Sequence, residues 1–191
     1  SRKMLDSIYG LCGRMTGLIE KILEYSTINR KKPVFEGVPL VPLLSELKEE
    51  FLLSNPERHL DISIEAEDEG LLLWGDKILL QDLLVNLLSK SVKFTKPADP
   101  GEIQISLEQN EDGIDILIRD NGAGFDMRHQ DKLFGLFQRL HSQDEFQGSG
   151  IGLVMVKKIL QLHQGEISIH SEAGKGTTAS LHFPARRNRH V

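Results

Sequence analysis

The first 25 residues carry a spacing that few folds accommodate. Met4, Ile8, Leu11, Met15, Leu18, Ile22 and Tyr25 recur in alternating steps of four and three. That is the heptad rhythm of a helix packing in a bundle or coiled coil. Leu5, Cys12 and Ile19 fall seven apart beside the seam and widen the apolar stripe, so the helix should meet more than one neighbour. Gly10, Gly13 and Gly17 lie within it. Each costs roughly 1 kcal/mol relative to alanine in a helix, which leaves tertiary packing to hold the element together. The polar run Asn29-Arg30-Lys31-Lys32 and then Pro33 end the pattern. Ser1 enters the helix directly, as expected of a piece excised from a longer protein.

Past Pro39 the periodicity changes. Pro42 suits the first turn of a helix carrying Leu43, Leu44, Leu47 and Phe51. Leu60, Ile62 and Ile64 alternate as a strand, and Leu71 to Trp74 read as a second, with Trp74 on a buried sheet face. Asp76 caps a helix with Ile78, Leu79, Leu83, Leu84, Leu87 and Leu88 along one side. Ile103, Ile105 and Leu107 predict a strand, Asn110 to Gly113 a turn, and Ile114, Ile116 and Ile118 its partner. Residues 120–150 are irregular and long enough for a functional lid. A helix over 151–163 and strands over 166–171 and 177–183 follow. Strands arriving in hairpins, not alternating one-for-one with helices, predict an α+β fold. The expected division is a bundle helix over 1–32, a linker over 33–39, one domain over 40–184 and a solvated basic tail over 185–191.

Composition narrows the function classes. With 23 Lys and Arg against 28 Asp and Glu, the net charge of −5 offers no footprint for nucleic acid. The single Cys12 excludes an intramolecular disulfide framework and reads as a small core residue. No apolar run approaches the ~20 residues that span a bilayer, so no membrane contact is expected of this segment. No His, Asp and Glu grouping has metal-ligand spacing, so no protein-only metal site is expected.

Three glycine clusters stand at positions where backbone can approach a ligand. Asp120-Asn121-Gly122-Ala123-Gly124-Phe125 follows a strand, so that a carboxylate points outward while the chain passes close by. An ionised carboxylate accepts hydrogen bonds only, and its natural partner is a donor such as an exocyclic amine. Gly148-Ser149-Gly150-Ile151-Gly152-Leu153 opens a helix, where exposed N–H groups and the dipole favour an anion. Gly174-Lys175-Gly176-Thr177-Thr178 joins two strands and, alone, is explained as a hairpin turn.

Taken in order, the helix with Asn86 and Lys93, the Asp120 cluster, the segment with Phe134 and Phe137, the Gly148 cluster and the Gly174 turn resemble the ATP-binding domain of sensor histidine kinases. That superfamily is shared with DNA gyrase and the ninety-kilodalton heat-shock chaperones. The resemblance covers about residues 38–184. The run from Leu136 through His141 to Gly148 is most similar to bacteriophytochrome-type and hybrid kinases, and residues 1–32 resemble the second helix of the dimerisation and phosphotransfer hairpin. It implies a two-layer α/β sandwich with a mixed sheet, a Bergerat-type fold, preceded by one long helix. It also implies ATP held by Asn86, Lys90, Lys93, Asp120, Gly122, Gly124, Arg139, Gly148, Gly150, Gly152, Leu153 and Thr177. Asp120 would accept from the adenine amine, supported by Thr177; the glycine lid, Lys93 and Arg139 would meet the phosphates. By the same resemblance the parent is a cytoplasmic-facing two-component kinase, a homodimer through its first helices, with a response-regulator receiver domain as partner.

Two departures bear on activity. The family's second asparagine of the helix motif, which usually holds magnesium, is Lys90 here. An ammonium has no lone pair for a hard cation, so magnesium use stays open, and Lys90 could itself reach the phosphates. The acceptor histidine is also absent: none of His59, His129, His141, His163, His170, His182 and His190 lies in residues 1–32, and no catalytic residue is expected in this chain. Two alternatives stand beside the kinase domain. One is a degenerate signalling scaffold, or one binding nucleotide without magnesium through Lys90; the other is an ATPase of the gyrase or chaperone type.

Overall fold

The computed structural model describes residues 2–28, 32–128, 133–135 and 150–185. In chain order these form α1 (Arg2–Ile28), β1 (Glu36–Pro39), α2 (Leu40–Leu53), β2 (Leu60–Ala66), β3 (Leu72–Gly75), α3 (Lys77–Phe94), β4 (Gly101–Gln109), β5 (Gly113–Asp120), α4 (Gly152–Leu162), β6 (Glu166–Glu172) and β7 (Gly176–Pro184).

Five strands make a mixed sheet in the order β2-β4-β5-β7-β6. β2 runs parallel to β4 and the other pairs are antiparallel. Alternation fixes which face is buried. The register puts Ile105, Ile118, Ala179 and Ile169 in one row and Leu107, Ile116, Leu181 and Ile167 in the next. Those residues meet Leu83, Leu84, Leu87 and Leu88 of α3, Met155, Val156, Ile159 and Leu160 of α4, and Leu43, Leu44 and Leu47 of α2 in one core. The alternate positions, Glu102, Gln104, Arg119 and His182 among them, are half-buried or exposed. The fold is therefore α+β, with helices covering one sheet face, as the hairpin pattern predicts.

Four local expectations are corrected. The linker predicted over 33–39 ends in β1, which pairs antiparallel with β3 through Val38 and Leu73. β3 consequently belongs to this separate two-stranded ribbon. Its alternation turns Leu73 and Gly75 inward and Leu72 and Trp74 outward, leaving Trp74 44% exposed where a core residue was expected. Ile78 falls off the buried stripe of α3 and lies in solvent. Along α1, Met4, Ile8, Met15, Ile19 and Ile22 are exposed, and so is Cys12; among the described side chains of this helix, Tyr25 and Ile28 reach the core.

One buried histidine fastens the helices to the chain entering from α1. The His163 Nε2 accepts from the Asp76 backbone N–H at 3.0 Å, which makes Nδ1 the protonated nitrogen donating to the Ile159 carbonyl at 2.8 Å. Phe35 lies on its ring at 5.1 Å between centroids. Asp76 meanwhile caps α3 through Ile78 N–H and Leu79 N–H and accepts from Val34 N–H at 2.8 Å; such a cap contributes about 1 kcal/mol.

An imidazolium carries no acceptor, so this contact requires neutral His163. Burial pushes its pKa below the ordinary 6.5, opposed by the Ile159 carbonyl and the Asp76 charge. A depressed basic group gives stability that is full above the unfolded value and is lost as pH falls through the folded one. Urea unfolding should show stability declining below about pH 6.5, with a shallower decline in His163→Gln; equal pH slopes in the two proteins would contradict the assignment.

Candidate functional site

The last turn of α3 lies against the end of β5, and Asp120 stands at that junction. Register continues its row inward as Ile103, Asp120, Thr177 and Ser171, so a carboxylate occupies a position that alternation reserves for the core. It is 6% exposed. Its Oδ1 accepts from Gly122 N–H at 3.0 Å and from Thr177 N–H at 3.3 Å; its Oδ2 accepts from Ser91 Oγ–H at 3.0 Å. Burial raises the Asp120 pKa above the ordinary carboxylate value, and the bonds from Gly122, Ser91 and Thr177 pull it back. An acid raised by burial stabilises the fold below its unfolded value and loses that contribution as pH rises through the folded one, so the ionised form is held at a cost.

Glycines let three backbone segments converge there. A Cβ on Gly122 would stand 2.6 Å from the Phe94 carbonyl oxygen, the same oxygen that accepts from Ala123 N–H at 3.0 Å. Gly176, at φ +100°, passes so close to the Asp120 carbonyl that no side chain fits. Ser171 completes the knot: its Oγ donates to the Gly176 carbonyl at 2.9 Å, accepts from Phe125 N–H at 3.0 Å and lies 2.9 Å from Thr177 Oγ1.

One turn back along α3, Asn86 and Lys90 face the start of α4. A Cβ on Gly152 would lie 2.7 Å from Asn86 Oδ1 and 3.5 Å from Lys90 Cε. Asn86 is oriented by its Nδ2, which donates to the Asp82 carbonyl at 2.8 Å. Burial, then the Lys93 charge, lowers Lys90 to about 8. The Lys93 ammonium sits 4.8 Å from the Phe94 ring centroid. Gly150 has φ +72° immediately before α4, and Leu153 is half-buried against the core. Lys157 of α4 places its ammonium 5.4 Å from the ring centroid of Phe134. Arg139 and Gly148, with Phe137 and His141, lie outside the described residues.

The structure thus gathers Asp120, Gly122, Gly124 and Thr177 in one knot, and Asn86, Lys90 and Gly152 in a second, joined along α3. Sequence reasoning missed Ser91, Ser171 and His163. Ser91 continues the Leu80, Leu84, Leu87 rhythm, and Ser171 continues the Ile167, Ile169 alternation; a polar residue on a core stripe was the available signal. A separate acidic cleft of about 490 Å³, lined by Glu67, Asp68, Leu107 and Glu111, opens at the other end of β4 and contains none of these groups.

A compact sheet with a buried acceptor at a strand end, glycine-lined backbone around it and cationic side chains beside a helix start is a nucleotide-type site in its chemistry. The chain belongs to the histidine kinase-, DNA gyrase B- and HSP90-like ATPase family, whose model matches residues 75–187. It is 32% identical over 173 residues to cyanobacterial phytochrome A of Nostoc sp. (strain PCC 7120 / SAG 25.82 / UTEX 2576), covering 89% of this chain and 22% of that protein. Its fold is similar to full-length ShkA in complex with AMPPNP, at TM-score 0.75 and 18% identity over 91% of this chain and 37% of that one. It is likewise similar to histidine kinase ThkA in complex with response regulator protein TrrA, at TM-score 0.73 and 20% identity over 96% and 51%. Among the described residues no helix is long and apolar enough to cross a membrane.

The glycine geometry gives a direct check. Gly122→Ala should destabilise the protein by about 1–3 kcal/mol, as overpacking against rigid backbone does. Gly37→Ala, where a Cβ meets only Leu72 at an ordinary 3.6 Å, should leave the melting temperature near wild type. Equal melting temperatures for Gly122→Ala and wild type would contradict the close approach.

Proposed function

We propose that this chain is the ATP-binding catalytic domain of a sensor histidine kinase, with adenine read by Asp120. The carrying observation is the buried Asp120 carboxylate, held by two N–H groups and one hydroxyl at the end of β5. A buried ionised acceptor suits the exocyclic amine of adenine. Gly122 and Gly124 give the base access to backbone, and Thr177 steadies the carboxylate. The N–H groups at the start of α4, with Gly150, Gly152 and Leu153, face the phosphates. Lys90 pairs with them: burial and Lys93 already penalise its charge, and an anion relieves both. Asn86 and Lys93 line the same side of α3.

Magnesium does not fit the side chains that α3 presents at Asn86, Lys90 and Lys93. Asn86 offers one neutral amide oxygen, and Lys90 and Lys93 offer none, whereas a hard dication seeks oxygen ligands. No step is therefore assigned to a metal. In the whole protein, of which relatives this chain spans about a fifth, ATP gives its γ-phosphoryl to a histidine on a helix outside this sequence, and then to an aspartate of a receiver domain. The domain's part is positioning and charge stabilisation. The exposed apolar stripe of α1 suits pairing with a second copy. Relatives that are themselves histidine kinases weigh against the scaffold reading. The site faces the cytoplasm, where ATP and receiver domains are found.

Calorimetric titration with ATP tests the reading. Asp120→Asn should bind roughly 10- to 100-fold more weakly, the worth of a hydrogen bond to a charged group, while its melting temperature does not fall, because a buried charge has been removed. Wild-type affinity should decline as pH rises through the Lys90 value of about 8, and Lys90→Met should lack that decline. Unchanged affinity in Asp120→Asn would overturn the assignment of the base site.

A further inference from the structure

We propose that Ser91 is a positioning residue for base recognition, its hydroxyl holding Asp120 as an ionised, acceptor-only group directed at the base. The inference rests on the nucleotide reading above and assigns Ser91 a role that neither composition nor motif supplies.

Three donors meet the Asp120 carboxylate, and they are not equivalent. The Gly122 and Thr177 N–H groups both serve Oδ1 and belong to backbone that sheet and turn already fix. Among the described residues Ser91 is the donor on Oδ2, at 3.0 Å, and the one side chain that reaches the carboxylate. A helical serine ordinarily returns its hydroxyl to the carbonyl four residues back. Here that proton is directed across the core to β5, while Thr95 Oγ1 donates to the Ser91 carbonyl at 2.9 Å. Ser91 is itself 6% exposed, so water is a poor substitute.

The chemistry follows from what each protonation state offers. A protonated Asp120 carries an O–H that opposes an amine donor; the ionised form accepts only. A hydroxyl that donates to the carboxylate favours the ionised form against burial, which works the other way. Without it, Oδ2 is left buried with one partner fewer. The other groups facing Asp120 do not replace it. β4 presents Ile103 in register, β7 presents Thr177, and the charged residues beside Ser91 on α3 are Lys90 and Lys93. Lys90, at about 8, stays charged throughout the acid range and is common to the variants compared. Ser91 therefore ties α3, which carries the phosphate-side residues, to the base acceptor.

The test is ATP affinity by calorimetry from neutral to acid pH on wild type, Ser91→Ala and Ser91→Thr, each confirmed folded by its melting transition. Ser91→Ala should bind roughly 3- to 10-fold more weakly at neutral pH, and its acid loss of affinity should begin at higher pH. Ser91→Thr, which keeps the hydroxyl, should follow wild type in both. Should the alanine variant fail to fold, Ser91→Cys, of similar size with a weak donor, carries the same comparison. A uniform drop with no displacement of the acid limb, or no change at all, overturns the role of Ser91 while ATP binding by wild type stands. Failure of wild type to bind ATP overturns the nucleotide reading and this inference together.

Discussion

Asp120 sits where strand alternation calls for an apolar residue, between Ile118 on its own strand and Ile103 across the ladder. Burying an ionised carboxylate carries a large desolvation penalty unless hydrogen bonds replace water. Much of the surrounding architecture supplies those bonds. Gly176 brings β7 close enough for the Thr177 N–H to reach Oδ1, Gly122 turns the chain back to donate to the same oxygen, and α3 sends in the Ser91 hydroxyl. Ser171 holds the turn and the loop together from behind. The glycines and serines of this region therefore serve a single acceptor.

The second constraint is that α3 and α4 must keep a fixed relation, because one carries Asn86 and Lys90 and the other carries Gly152. Their apolar faces share the core beneath the sheet. At the far end the His163 ring links the last turn of α4 to the first of α3 through the Asp76 N–H. Gly75 leaves no room for a Cβ beside that ring, since one would stand 2.8 Å from His163 Cδ2. Phe35 and Val34 dock on the same node. The segment with Val34 and Phe35 is thus attached to α3 and α4, the helices that frame the candidate site.

Most of the sheet was legible because its strands are buried on one face, so that Ile103, Ile105 and Leu107, or Ile114, Ile116 and Ile118, declare themselves by alternation. β1 was not legible: Glu36-Gly37-Val38-Pro39 has one inward apolar side chain and ends in proline. Nor were partners, since the parallel pairing of β2 with β4 and the departure of β3 into its own ribbon depend on contacts far apart in sequence. In the site, Asp120, Gly122 and Gly152 were readable because close backbone approach demands glycine. Ser91 and Ser171 were hidden because serine in a helix or strand carries no signal unless the stripe it interrupts is known to be core. The heptad seam of α1 was plain as a pattern, but pattern alone did not reveal that Met4, Ile8 and Met15 find no cover within one chain.

The most direct measurement compares calorimetric affinities of the wild-type protein for ATP and for purine riboside triphosphate, which keeps the sugar and phosphates and lacks the 6-amino group. If Asp120 is the acceptor for that amine, the analogue should bind roughly 10- to 100-fold more weakly, because a buried carboxylate is left without its partner. Equal affinity for the two would show that the carboxylate does not read the base, and the site described around it would have to be assigned to another ligand.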